Sequence, residues 1–82
     1  MEAKIVGINL QKGRAVALIS TGEYILLELF TDELELHDEI SGNFEAYPLG
    51  GEIIRNVTSG ESMDVLIQDY CSKDLAINYL RG

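Results

Sequence analysis

The stretch from residue 3 to residue 30 constrains the fold more than any other part of the chain. It consists of three short apolar runs, and the two polar breaks between them contain glycine and are at most four residues long. Connections this short join antiparallel neighbours, whereas parallel strands need a crossover of roughly a dozen residues or more. The stretch therefore predicts a three-stranded antiparallel meander and excludes a parallel α/β design for this half.

The pattern within each run predicts which side chains share a face of the meander, because residues two apart in a strand point the same way. The predicted faces are Val6, Ile8 and Leu10 in the first strand, Val16 and Leu18 opposite Ala15 and Ala17 in the second, and Ile25, Leu27 and Leu29 in the third.

The rest of the chain predicts three more strands and one helix. A turn over residues 36–42 leads into a fourth strand, and after a loop with the only proline, strands five and six cover residues 52–58 and 62–68. Ser72 is a suitable N-cap residue, and the apolar residues after it follow a helical period for two to three turns. The residues on the apolar helical face are Leu75, Ala76, Tyr79 and Leu80, and we expect the helix to plug or cover an open end of the sheet.

Five or six short antiparallel strands followed by a short helix predict a mainly β fold, a small barrel formed by residues 1–82 as one domain. We favour an OB-like barrel over an SH3-like one, because a meander, a long irregular connection and a closing hairpin resemble the OB plan. The acidic segment 31–39 then replaces the usual helix between strands three and four. A meander sheet covered by the helix is the alternative.

The charge of the chain narrows the choice of partner. Fourteen acidic residues against six basic ones give a net charge of −8, which repels phosphate backbones and anionic lipid surfaces. The charge is explained by solubility or by recruitment of a basic partner.

Cys71, the single cysteine, has no internal disulfide partner, and no basic leader or long apolar segment is present, so we expect a cytoplasmic location.

A resemblance is carried by the run 48–52 (PLGGE), continuing through 55–61 (RNVTSGE) to 65–70 (VLIQDY). This pattern resembles one found in small uncharacterised bacterial proteins of similar length. It covers the C-terminal half of the chain and the general rhythm of the first half. The resemblance implies a bacterial barrel protein and brings no catalytic residue with it.

Two sites have side chains suited to chemistry. His37 lies beside Asp38 and Glu39, which are metal-ligand types, but adjacent residues of an extended chain point in opposite directions, so we favour a solvated acidic turn. Cys71 precedes the helix, where a thiol pKa can be lowered, but a half-buried structural cysteine is the preferred interpretation. The sequence thus predicts no enzyme, no cofactor and no metal site, with a metal-binding protein or enzyme around His37 as a minor alternative.

Two sets of residues are candidates for binding. The loop residues Phe44, Tyr47 and Leu49 form a predicted apolar contact for a protein partner. The alternative, a single-stranded nucleic-acid binder, uses Lys12, Arg14, Tyr24 and Arg55. Our main hypothesis is a non-enzymatic interaction module that binds a protein partner or self-associates through a sheet edge or the 44–49 loop.

Overall fold

The computed structural model describes residues 2–30, 34–42 and 50–81, with the backbone alone for residues 50–52. These residues form six strands and one helix: β1 (Glu2–Asn9), β2 (Arg14–Ile19), β3 (Tyr24–Leu29), β4 (Glu39–Ser41), β5 (Gly50–Asn56), β6 (Ser62–Cys71) and α1 (Lys73–Arg81). The strands close into a barrel in the order β1-β2-β3-β6-β5-β4, and every neighbouring pair is antiparallel. The predicted small, mainly β barrel with one short C-terminal helix is confirmed.

The predicted meander forms as two tight hairpins. Gly13, at φ 65°, ends the first turn, and its N–H donates a hydrogen bond to the carbonyl of Leu10 at 3.2 Å. That left-handed conformation favours glycine, which explains the residue that closes this turn. In the second turn the Gly22 N–H donates to the carbonyl of Ile19 at 3.0 Å.

The barrel closes along two seams between sequence-distant strands. β3 pairs with β6 over its whole length, while β1 and β4 pair only from Glu2 opposite Ser41 to Lys4 opposite Glu39. In the described part of the chain each strand therefore has a neighbour on both sides. The contact that we predicted through a sheet edge has no exposed edge strand in this part of the chain, because closing the sheet into a barrel removes its edges.

The barrel interior is filled by alternate side chains from all six strands. Ala15 and Ala17 of β2 point inward, as do Ile25 and Leu27 of β3, all of them fully buried. Ile25, Leu27 and Leu29 therefore share one face of β3, as predicted, and the structure shows that this face is the inner one. Leu34 is also buried in this core, with 1 % of its surface exposed.

The face predicted for β1 is wrong because the strand contains a β-bulge. Ile5 lies opposite Ala17 but Gly7 lies opposite Val16, so one residue of β1, Val6, has no counterpart in the register. The bulge shifts the alternation by one residue, so Ile5 and Ile8 contact the core while Val6 remains 39 % exposed.

Helix α1 packs on the outer face of the barrel rather than at an open end, which corrects the predicted position. Val16 of β2, Leu26 of β3 and Ala76 of α1 form a second buried cluster, outside the barrel. Partly buried side chains complete this outer cluster: Tyr24, Cys71, Tyr79 and Leu80. Leu75, predicted on the packed face, is 57 % exposed.

The last two strands differ from their predicted limits. β5 ends at Asn56 instead of residue 58, because the Asn56 side-chain oxygen accepts hydrogen bonds from the N–H groups of Thr58 and Ser59 at 3.0 and 3.2 Å and turns the chain. β6 continues to Cys71, directly before the helix.

Candidate binding groove

The C-terminal end of α1 is fixed to the β1–β2 hairpin by two side chains. The last carbonyls of a helix have no partner within the helix. Here the Asn9 amide donates to the carbonyl of Leu80 at 2.6 Å, and Nη1 of Arg14 donates to that of Tyr79 at 2.9 Å. The cationic Arg14 also complements the negative end of the helix dipole.

The Tyr79 side chain adds a second attachment to the barrel. Cζ of Arg14 lies 4.9 Å from the centre of the Tyr79 ring, within the range of a cation–π interaction. The phenol hydroxyl donates a hydrogen bond to the carbonyl of Leu27 in β3 at 3.0 Å. The helix is therefore held tightly on its β3 side.

On its β1 side the helix leaves a groove open, which we call the helix groove. It has a volume of about 150 Å³ and is lined by Val6, Gly7, Val16, Tyr24, Lys73, Ala76, Ile77 and Leu80. An apolar cavity of about 150 Å³ is large enough for a benzene-sized group. The helix groove thus has room for one apolar side chain of a ligand.

The β1 bulge and Gly7 together create the shape of this groove. A side chain at Gly7 would overlap Cδ1 of Leu80, so glycine lets Leu80 pack directly against the backbone of β1. The bulge turns Val6 outward, and Val6 and Ile77 are each 39 % exposed beside the opening. Sequence reasoning missed this site, although a glycine inside a strand is a known signal for a bulge or a close approach.

The charges of the chain are segregated around this groove. We call β1, the β1–β2 turn, β2 and α1 (residues 2–19 and 73–81) the helix wall. It carries five of the six basic residues, Lys4, Lys12, Arg14, Lys73 and Arg81, against two acids, Glu2 and Asp74, for a net charge of +3. These elements are therefore net positive within a chain of net charge −8, although β3, on which α1 also packs, carries Glu28, whose negative charge acts on Tyr79.

The remaining described residues are strongly acidic. They contain one base, Arg55, and nine acids: Glu23, Glu28, Glu35, Asp38, Glu39, Glu52, Glu61, Asp64 and Asp69. β5, which carries Arg55, lies three strands away from β2 in either direction around the barrel, on the opposite side.

The residues of the predicted nucleic-acid site are separated by the fold. Lys12 is exposed in the β1–β2 turn near the C-terminal end of α1, where Arg14 is engaged by Tyr79. Tyr24 packs in the outer cluster, and Arg55 lies on the opposite side of the barrel.

The predicted partner loop, Phe44, Tyr47 and Leu49, lies outside the described residues and stays a prediction.

A second depression, of about 200 Å³, lies at the β1–β4 seam. Its lining is Glu2, Ala3, Lys4, Leu18 and Glu39. Charges of both signs surround it, so it has less of the apolar lining with few polar groups that is typical of a binding site.

The acidic turn with His37 is divided between the surface and the interior. His37 is exposed at φ 72°, and its N–H donates to the carbonyl of Ile5 at 2.8 Å. Asp38 is buried, and its Oδ2 accepts hydrogen bonds from the Asn56 amide at 2.7 Å and the Glu35 N–H at 2.9 Å. The predicted solvated turn is thus wrong for Asp38. Within residues 2–30, 34–42 and 50–81, no three histidine, cysteine or acidic residues form a cation-binding group.

The Cys71 thiol is half-buried beside the outer cluster. Burial raises its pKa, and the negative charge of Asp69 raises it further. This is opposite to the lowered pKa considered for a thiol before a helix, so the structure supports the structural interpretation of Cys71.

Comparisons of the chain with protein-family models, curated protein sequences and solved structures gave no match. Among the described residues, α1 is too short and too polar to cross a lipid bilayer, and no other helix there is able to do so. The fold and the site define a closed six-stranded antiparallel barrel with a helix on its outer face and an apolar groove beside that helix.

Proposed function

We propose that this protein is a non-enzymatic binding module that holds a protein partner through the helix groove. The observation that carries the proposal is the apolar opening between β1 and α1, with Val6 and Ile77 exposed at its sides. Ligand sites in proteins are typically concave and mostly apolar, with a small number of polar groups.

The groove suits binding because both of its sides are attached to the barrel. The β1 bulge forms one wall, and α1, attached through Arg14 and Tyr79, forms the other. A preformed site loses little conformational entropy when a ligand enters it. A groove for one side chain supports a small, reversible contact rather than an obligate interface.

The residues with reactive side chains support a binding role over catalysis. Cys71 has a raised pKa, which lowers the thiolate fraction, and His37 is exposed while the neighbouring Asp38 is directed to Asn56 in the interior. We also propose a cytoplasmic location and a bacterial source, in keeping with the single cysteine and the resemblance in the C-terminal half.

The test measures recovery of a specific partner. Val6→Ser combined with Ile77→Ser removes the apolar sides of the groove and should reduce recovery of the identified partner from its native cell at least about tenfold. Ile53→Ser is the matched control, because Ile53 is 66 % exposed on β5, on the opposite side of the barrel. Undiminished recovery with the double variant, or equal loss with the control, contradicts the proposed site.

Two further contacts, the 44–49 loop and self-association, have their own tests. Tyr47→Ser with Leu49→Ser tests the 44–49 loop, and a light-scattering mass tests self-association. Loss of partner only in the loop variant places the contact at the loop, and a dimer mass that the groove variant abolishes identifies a second copy as the occupant.

Binding of single-stranded nucleic acid is a second candidate, favoured by the net +3 charge of the helix wall. Lys12 and Arg14 lie at one end of that wall, whereas Tyr24 is partly buried and gives less of a stacking platform. Oligonucleotide binding that weakens steeply with added salt would support this candidate, and no binding at low salt removes it.

A further inference from the structure

We propose, on the basis of the function above, that the partner segment is acidic: an extended stretch with one apolar residue midway between two carboxylates. The apolar side chain enters the helix groove and the carboxylates pair with Lys73 and Arg81 at its two ends. The two carboxylates specify the chemistry of the partner, which the shape of the groove alone does not.

The spacing of the cations follows from the helix. Lys73, Ile77 and Arg81 are separated by four positions each, so they lie along one side of α1. A rise of 1.5 Å per residue places the two cations about 12 Å apart along the helix axis, with Ile77 between them. An extended peptide advances about 3.3 Å per residue, so its carboxylates match when they are about four residues apart.

Lys4 extends the positive charge at the Lys73 end of the groove. In the sheet Lys4 lies opposite Leu18, and Leu18 lies opposite Tyr24, which lines the groove together with Lys73. Lys4, Lys73 and Arg81 are all exposed, and their flexible stems can follow a ligand while covering apolar surface.

Physiological salt screens the acids on the far side of the barrel, whereas Glu39, opposite Lys4, and Glu28, whose charge acts on Tyr79, lie beside the helix wall and partly offset its positive charge. The barrel measures 30 × 27 × 21 Å, whereas the Debye length is about 8 Å at 0.15 M salt. A ligand in the groove therefore responds to the helix wall and to these two neighbouring acids, and much less to the opposite side of the barrel. At about 0.01 M salt the Debye length reaches about 30 Å, and the net charge of −8 then opposes an acidic ligand.

A partner segment is the proposed occupant. A second copy also carries acidic residues that are able to meet the helix wall, so it is an outcome of the test: a dimer mass by light scattering that Lys73→Glu with Arg81→Glu abolishes contradicts the partner segment. Nucleic acid needs exposed aromatic faces, but the only aromatic residue of the helix wall is Tyr79, which is partly buried under Arg14.

The test uses three labelled nine-residue peptides and fluorescence anisotropy. The acidic probe is Gly-Ser-Asp-Ser-Leu-Ser-Asp-Ser-Gly, the second probe replaces Leu by Ser, and the third replaces both Asp by Lys. We expect the acidic probe to bind more tightly than either of the others by at least about fivefold at 0.15 M salt. Its affinity should rise as salt is lowered toward about 0.1 M, and should stop rising or fall near about 0.01 M.

Charge reversal in the protein sharpens the test. Lys73→Glu with Arg81→Glu should weaken the acidic probe at least about tenfold and should create binding of the lysine probe. Lys4→Glu leaves the helix untouched and should weaken the acidic probe about threefold, which keeps the test valid if the helix variant unfolds. Arg55→Glu, an exposed control on β5 on the opposite side of the barrel, should change the affinity less than twofold.

The outcomes separate the two proposals. Equal binding of the acidic and lysine probes, lost with Ile77→Ser, contradicts the acidic partner while leaving the groove as the binding site. Binding of the acidic probe that survives Ile77→Ser contradicts both. Tighter binding of a short oligothymidylate than of the acidic probe, with the same dependence on Lys73, contradicts the peptide and identifies nucleic acid.

Discussion

Arg14 holds Tyr79 in two ways: its guanidinium carbon lies 4.9 Å from the centre of the Tyr79 ring, and its Nη1 donates to the Tyr79 carbonyl at 2.9 Å. The two residues are 65 positions apart in the chain. One side chain at the start of β2 thus positions the helix that forms one wall of the proposed binding site.

Replacing Arg14 by Met should loosen α1 while the barrel stays folded. The variant loses the cation–π contact and the hydrogen bond to the end of the helix, each a contribution of about 1 kcal/mol. We expect the free energy of unfolding to fall by about 1–2 kcal/mol in urea titrations, with a partial loss of helical signal first.

Arg55→Met is the matched control, since Arg55 is exposed on the opposite side of the barrel. It should change stability by less than about 0.5 kcal/mol. Equal effects of the two variants would show that the Arg14 contact does not attach the helix.

Gly7→Ala should act through Leu80 alone. The added methyl group overlaps Cδ1 of Leu80, the end of a flexible and partly buried side chain, so Leu80 must rotate, at a cost of up to about 1 kcal/mol. Combined with Leu80→Ala, the same change should cost almost nothing. A double-mutant cycle by urea unfolding measures this coupling, and additive effects would place the strain elsewhere.

The pairing of Asp38 with Asn56 should be important for barrel stability. Asn56 is fully buried, and its amide donates to Oδ2 of Asp38 at 2.7 Å. Asn56→Ala leaves the Asp38 carboxylate with one partner fewer, also removes the turn hydrogen bonds from Thr58 and Ser59, and should lower the free energy of unfolding by about 2–4 kcal/mol in total. Asn78→Ala, on the exposed side of α1, is the control, and a similar small effect at both sites would disprove the role of the pair.

Alkaline pH should release the helix through Tyr79. Burial raises the pKa of Tyr79, the positive charge of Arg14 lowers it, and the negative charge of Glu28 raises it, with a net increase. Since the folded protein holds the phenol proton more tightly than the unfolded chain, this stability is present below the ordinary pKa of about 10 and is lost above it. The phenolate also cannot donate to the Leu27 carbonyl.

Tyr79→Phe is the test of this pH dependence. The variant should be about 1 kcal/mol less stable at neutral pH, from the lost hydrogen bond, and its stability should decline less above pH about 10. Cys71 has a raised pKa of the same sign, so both proteins are compared in a Cys71→Ala background. An identical decline in both would contradict the assignment to Tyr79.

The sequence predicted the local elements well because their signals are local. The glycine at position 13 and the alternation of Ile25, Leu27 and Leu29 specify a hairpin and a strand face from neighbouring residues alone. The C-terminal helix was also predicted from the helical period of its residues, but the residues that attach it to the barrel were not predicted.

The features that the sequence did not reveal depend on contacts between distant residues. Both faces of β2 are apolar, so the pattern did not show that Ala17 faces the interior and Val16 faces a helix. The bulge at Val6 shifted the period within β1, and charge counting over the whole chain hid the segregation of basic residues onto the helix wall. Each feature needs the strand order before it can be recognised.

The most direct test of the account is an amide correlation spectrum of isotope-labelled protein, recorded during titration with the acidic probe at physiological salt. We predict that the largest shifts occur for residues 4–8 of β1 and 73–81 of α1, which border the helix groove. Shifts confined to β5 and β6, or no shifts at all, would contradict the central claim that the helix wall is the binding surface.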